Sequence, residues 1–207
     1  RLGALEPGRH GRPDRRRAKA AFLGWTRRPL GAYWAHPLFT WDGAVAFLAG
    51  NLVDLWRGAY LWHGKVLRHA FADAVYVGST LLFLAAAVWA LRSGPGVTTS
   101  DRRIHFLGAL ALCGSLLFLA GLSVFYDFPS AGTSPTREFP VLIEGRLLLC
   151  ALLPFLLLYL RGLGAVCARL RIPPVCALFP VILVAAVSEL LLVIEPLRSQ
   201  YNWYGLP

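Results

Sequence analysis

The chain has 207 residues, 57% of them hydrophobic and only 15% charged, with a formal net charge of +10. Soluble domains carry about 25% charged residues, so the composition excludes an ordinary soluble domain and requires a polytopic membrane protein. The positive charge does not make a nucleic-acid binder, because beyond residue 30 the Lys and Arg mostly flank apolar runs, where they set topology.

Residues 1–30 hold nine Lys/Arg against Glu6 and Asp14. With no sustained period, they read as a basic arm without regular structure, placed to lie on anionic lipid headgroups. The chain begins with Arg1 and has no Met, which reads as a fragment, a processed chain or a misread frame. No signal-peptide pattern is visible.

Residues 31–73 are aromatic, with Tyr33, Trp34, Trp41, Trp56, Tyr60 and Trp62, as is common at a membrane–water boundary. Within them Ala44, Phe47, Leu48, Leu52 and Leu55 recur at helical spacing between Asp42, Asn51 and Asp54. The segment 43–56 is expected to be an interfacial helix, with a short or re-entrant span as the alternative.

Four spans are expected over 74–207: Ala74–Leu91, Ile104–Tyr126, Leu147–Leu160 with a continuation towards Val166, and Val175–Ile194. The third is the most telling. Fourteen uncharged residues separate Arg146 from Arg161, and a helix with no polar face is stable where its surroundings are apolar. Pro154 and Pro180 are expected to kink their helices. Gly108, Cys113, Gly114, Ser115, Ala120 and Gly121 are expected to let the second span pack closely. The fold class is all-α.

Arg92, Arg102 and Arg103 flank one connection and Arg161, Arg169 and Arg171 another, so both are expected on the cytoplasmic side. The loop 127–146 and the tail 195–207 then face outward from a bacterial inner membrane. Cys113, Cys150, Cys167 and Cys176 lie in or beside apolar runs without C-x-x-C spacing and read as small buried thiols.

In the outward loop, Arg137 and Arg146 suit a lipid-linked phosphate, because guanidinium matches phosphate with paired hydrogen bonds. The alternative for Arg146 is an intramembrane ion pair with Glu189 or Glu195. The polar–aromatic tail with Tyr201, Asn202 and Trp203 reads either as a boundary belt or as a cap on an outward cavity. His36, His63, His69 and Asp73 match no metal-ligand spacing. There is no Ser-His-Asp set, P-loop, dinucleotide fingerprint or H-E-x-x-H helix, and no cofactor is implied.

Three stretches carry a resemblance: Trp56-Arg-Gly-Ala-Tyr-Leu-Trp-His-Gly64 with Asp73-Ala-Val-Tyr76; Glu144-Gly-Arg146 with Leu153-Pro-Phe-Leu-Leu-Leu-Tyr159; and Tyr201-Asn-Trp-Tyr-Gly-Leu206. Over residues 31–207 the chain resembles the C-terminal membrane region of bacterial GT-C glycosyltransferases. The resemblance implies transfer of a sugar from a polyprenyl-phosphate carrier on the outer face, with room for a divalent metal in a complete enzyme. The family's catalytic acid lies in an early outward loop that has no counterpart here, so the chain is expected to form a wall of the carrier or acceptor cavity and to be inactive alone. Its partners would be membrane lipids, the carrier-linked sugar, and further N-terminal helices or a partner subunit. Glu144 stands where the family commonly has a small hydroxyl residue. The rival readings are a non-catalytic membrane subunit packed on partner helices and, third, a transporter fragment.

Overall fold

The computed structural model describes residues 25–58, 61–62, 65–93, 97–129, 135–143 and 145–198. Five α-helices dominate them: α1 (Trp41–Arg57), α2 (Ala70–Ser93), α3 (Thr99–Phe125), α4 (Leu152–Leu170) and α5 (Pro174–Leu197). Short 3-10 turns occupy Leu30–Ala32, Pro37–Phe39 and Gly145–Ala151. Two small antiparallel pairs join β1 (Thr26–Arg27) to β4 (Tyr126–Asp127) and β2 (Leu61–Trp62) to β3 (Lys65–Val66). Among the described residues four helices are long and apolar enough to cross a membrane: Ala70–Arg92, Thr99–Phe125, Leu147–Leu170 and Pro174–Ile194. The protein is an all-α polytopic integral membrane protein.

The helices differ from the expected spans for local reasons. α3 begins at Thr99 rather than Ile104 because Thr98 caps it. The Thr98 Oγ1 accepts from Asp101 N at 3.1 Å, and the Asp101 carboxylate accepts from Thr98 N at 3.2 Å. This reciprocal box satisfies two otherwise orphaned donors. α4 runs past Arg161 to Leu170, since one arginine in a helix interior does not interrupt the backbone ladder. Pro154 does not kink a continuous helix. It lies in the first turn of α4, after the 3-10 segment, where its missing N–H has no helical partner to lose. Pro180 does lie inside a helix, α5.

The four long helices run up and down. α3 faces α4 in antiparallel register, with Ser115 near Cys150 at 3.8 Å and Gly108 beside Pro154, where an added Cβ would come within 3.6 Å. α2 and α4 are parallel: Phe83 meets Tyr159 and Gly162, and Trp89 meets Arg169. Here the backbones come closest, because a Cβ built on Gly162 would lie 1.7 Å from the Phe83 carbonyl oxygen. The expected small-residue face of α3 is used only in part, since Gly114 has nothing within 4 Å of where its Cβ would be.

Phe155, Leu158, Tyr159 and Leu163 of α4 form the centre of the core, with Phe83, Leu112 and Leu119 around them. Large apolar residues such as Phe106, Leu117, Leu153 and Phe179 point outward, as suits helices surrounded by hydrocarbon. Of the four cysteines only Cys167 is buried. Cys113, Cys150 and Cys176 are exposed, which corrects the expectation of four buried thiols.

The strap before α2 also departs from expectation. The arm boundary at residue 30 falls within ordered structure: Trp25 packs edge-on against Phe128, and Thr26–Arg27 pairs with Tyr126–Asp127. The turns over Leu30–Phe39 and α1 meet at 68° and together are long enough for a broken span or a re-entrant pair. α1 does not lie free in an interface. Asn51 and Asp54, which were expected to bound its apolar stretch, are 0% and 5% exposed. The strap, α1, the β4 connection and the start of α4 gather at one end of the bundle, here the loop end. The C-termini of α2 and α4 and the N-termini of α3 and α5 mark the opposite, turn end.

Candidate functional site at the loop end

The loop end is built around a buried piece of extended chain, residues 140–142. Pro140, Val141 and Leu142 are all buried, so their backbone groups must find partners inside the protein. Side chains from three elements supply them. Leu142 N donates to the Ser123 hydroxyl of α3 at 2.9 Å, and Leu142 O accepts from Asn51 Nδ2 of α1 at 3.2 Å. Pro140 O accepts from His36 Nε2 at 3.1 Å. Ser123 donates in turn to Leu119 O, and Asn51 donates to Phe47 O.

His36 is held as one neutral tautomer. Its Nδ1 accepts from Leu38 N at 3.0 Å, so the proton sits on Nε2, facing Pro140 O. Burial lowers its pKa below 6.5, and the positive charge of Arg28 adds to the effect. The hydrogen bond to Pro140 and the charge of Asp127 act the other way. Arg28 itself pairs with Asp127 at 2.8 Å.

The strip leads into Gly145, which lies directly on the Asp54 backbone. A Cβ there would be 2.1 Å from the Asp54 carbonyl oxygen. One turn further along α1 is Arg57, whose side chain is 2% exposed. Its Nη2 is 3.0 Å from Asp73 Oδ1 and donates to Leu67 O at 3.4 Å. The contact with Asp73 is a charge pair rather than an aligned hydrogen bond, and Arg57 Nε and Nη1 have no hydrogen-bond partner among the described residues. Removing one partner of such a buried pair costs on the order of 3–5 kcal/mol. The site therefore keeps a half-satisfied guanidinium with two donors to spare.

Beside it stands an aromatic wall. The Trp56 ring stacks on Tyr76 with centroids 5.6 Å apart, and meets Phe155 and Tyr159 edge-on. Trp56 Nε1 donates to Thr80 Oγ1 at 2.9 Å, and the Tyr76 hydroxyl meets the Ser188 hydroxyl at 2.5 Å. The wall ties α1, α2, α4 and α5 together. Chemically, the arrangement suits recognition of an anion with an apolar body. Asp73, the nearest charged partner, is already held by Arg57.

The residues expected from the sequence fare differently. Arg137 is exposed on the loop, with its backbone N–H bonded to Pro129 O at 3.0 Å. Glu189 is half-buried on α5, next to Ser188, and is engaged in an interaction. Glu144, Tyr201, Asn202 and Trp203 lie outside the described residues, as do the side chains of Arg146 and Glu195. The expected pairing of Arg146 with either acid lies outside them too. His63 is likewise outside. His69 Nδ1 accepts from Ala72 N at 3.4 Å, in the first turn of α2, so His36 and His69 both serve backbone groups. Among the described residues no three His, Cys, Asp or Glu side chains converge.

Asn51, Asp54, Arg57 and Ser123 were not singled out from the sequence. The signal existed for the first three. Polar residues at every third position of an apolar helix define one face, and in a membrane protein such a face turns to the protein interior.

The fold defines a class, helical integral membrane proteins. Comparison with family models, curated proteins and solved structures finds no match for the chain.

Proposed function

We propose that the chain is the membrane portion of a GT-C-like glycosyltransferase, and that its loop end receives the phosphate of a polyprenyl-phosphate carrier on the extracytoplasmic face. The observation that supports this is the buried Arg57 guanidinium, whose Nε and Nη1 have no hydrogen-bond partner among the described residues. Guanidinium recognises phosphate through paired donors. Arg146 follows Gly145, whose backbone rests on Asp54, so its main chain starts within a turn of α1 from Arg57. Of the aromatic wall, half-buried Trp56 keeps apolar surface for the carrier or its sugar, with Tyr76 and Phe155 buried behind it. The sequence resemblance at Trp56–Gly64, Glu144–Arg146 and Leu153–Tyr159 covers the same end.

The test is carrier binding by purified protein in detergent, read by native mass spectrometry with a short-chain polyprenyl phosphate and the matching polyprenol. Arg146→Ala is expected to weaken phosphate-carrier binding about tenfold or more while leaving polyprenol binding and the melting temperature unchanged. Equal losses of binding and stability would assign Arg146 to structural pairing instead.

One observation favours the rival reading of a non-catalytic subunit. Of the described α5 side chains only Ser188 and Leu192 are buried, so most of that helix is free to pack against partner helices.

A further inference from the structure

The turn end holds a second arginine with unmet demands. Arg161 lies on α4 nine residues before Leu170, about 14 Å by helical rise. It is half-buried, and its Nε is buried without a hydrogen-bond partner among the described residues. The described acid at the turn end is Asp101, in the first turn of α3. That carboxylate is already committed: it accepts from Thr98 Oγ1 at 2.8 Å and from Thr98 N at 3.2 Å. His105 donates its Nδ1–H to Asp101 O at 2.7 Å, and Arg102 follows Asp101 on the exposed side of α3.

Charge around this surface is one-sided. Arg92, Arg102, Arg103, Arg161, Arg169 and Arg171 face a single described acid, Asp101. Arg169 is set apart, with its guanidinium over the Trp89 ring at 5.5 Å. One turn beyond Arg161 on the same face, Gly164 has nothing within 4 Å of where a Cβ would stand. Among the described residues, no side chain stands over the Gly164 position. Near the start of α3, Ile104, Phe106 and Leu107 are exposed and apolar. An occupant must therefore be anionic at one end and apolar at the other.

We infer that the surface between the start of α3 and the second half of α4 binds the headgroup phosphate of an anionic phospholipid. Arg161 is the principal donor, Arg102 is beside it, and the acyl chains lie along the exposed face of α3. The phosphate completes the hydrogen bonding of Arg161, which Asp101 does not. An intramembrane cation ordinarily has such a partner. The site is at the opposite end of the bundle from the proposed carrier site and does not depend on it.

The experiment compares retention of phosphatidylglycerol and phosphatidylcholine by purified protein, titrated in detergent and read by native mass spectrometry. The unmodified protein is expected to prefer phosphatidylglycerol about tenfold. Arg161→Gln is expected to bring that ratio close to one, with phosphatidylcholine retention unchanged, and Arg161→Lys to keep part of it. A preference that survives Arg161→Gln overturns the assignment. So does displacement of phosphatidylglycerol by inorganic phosphate at equal concentration, which would identify a free-anion site. If Arg161→Gln does not fold, Gly164→Leu reads the same contact by filling the open ground beside the guanidinium. Undiminished preference in that variant likewise overturns the site.

Discussion

His36 shows how one side chain ties stability to pH. Its Nδ1 acts as an acceptor and its Nε2–H as a donor, a division only the neutral ring can make. Protonation would place a hydrogen on Nδ1 against Leu38 N–H and bring a second positive charge towards Arg28. The folded-state pKa is lowered from 6.5, while the unfolded chain keeps the ordinary value. Above about pH 6.5 both states are neutral and the full stability is present. As the pH falls below that, the unfolded chain takes up a proton first, and stability is lost until the folded pKa is reached. The melting temperature in detergent should therefore drop as the pH falls below about 6.5. His36→Gln should flatten that slope and cost about 1 kcal/mol at pH 7.5. The role was not legible in the sequence, where His36 was weighed only as a metal ligand and matched no ligand spacing. Its partner Pro140 is 104 residues away, and no local pattern announces such a contact.

Among the elements, α2 and α4 are locked by Gly162 against the Phe83 carbonyl. Gly→Ala inside a helix gains about 1 kcal/mol from propensity alone. Here the added methyl has no room, so the helices would have to separate. Gly162→Ala is expected to destabilise the protein by about 1–3 kcal/mol, measured by thermal or denaturant unfolding in micelles. Gly164→Ala, which meets open space, should be neutral or slightly stabilising. The sequence placed the small-residue contact on α3 because that helix has the denser cluster of Gly, Ser and Cys. Density was a poor guide: which glycine meets a backbone depends on helix rotation, and a helix apolar all round carries no phase to read. Span existence was legible for the opposite reason, since runs of apolar residues need no phase. Helix ends were legible where a cap could be recognised, and Thr98 with Asp101 is such a pair. The buried strip is a further test at this scale. Ser123→Ala leaves Leu142 N unsatisfied in the interior and should cost about 1–3 kcal/mol, seen as a lower unfolding midpoint.

Across the whole molecule the two ends divide polar labour. The turn end carries an excess of arginine over acid, while the loop end balances Arg28 with Asp127 and Arg57 with Asp73. The asymmetry was legible from charge counts along the chain, because topology rules act on sequence directly. The loop-end pairings were not, because each joins segments that the sequence separates by an apolar span or a turn. The candidate site shares this limit. A resemblance drew attention to the end of the bundle where Arg57 lies, but Arg57 itself emerged only once α1 was seen packed inside it.

The buried strip at 140–142 also constrains the order of biosynthesis. Asn51 and its acceptor Leu142 are 91 residues apart, so α1 leaves the ribosome well before the chain that satisfies it exists. At about 5–20 residues per second, that interval is roughly 5–20 s. Throughout it, the amide of Asn51 and the charges of Asp54 and Arg57 must be kept wet, at the membrane surface or in the insertion machinery. The earliest-made of the described α-helices is thus among the last to settle, and the nascent protein depends on its host for shelter in the meantime.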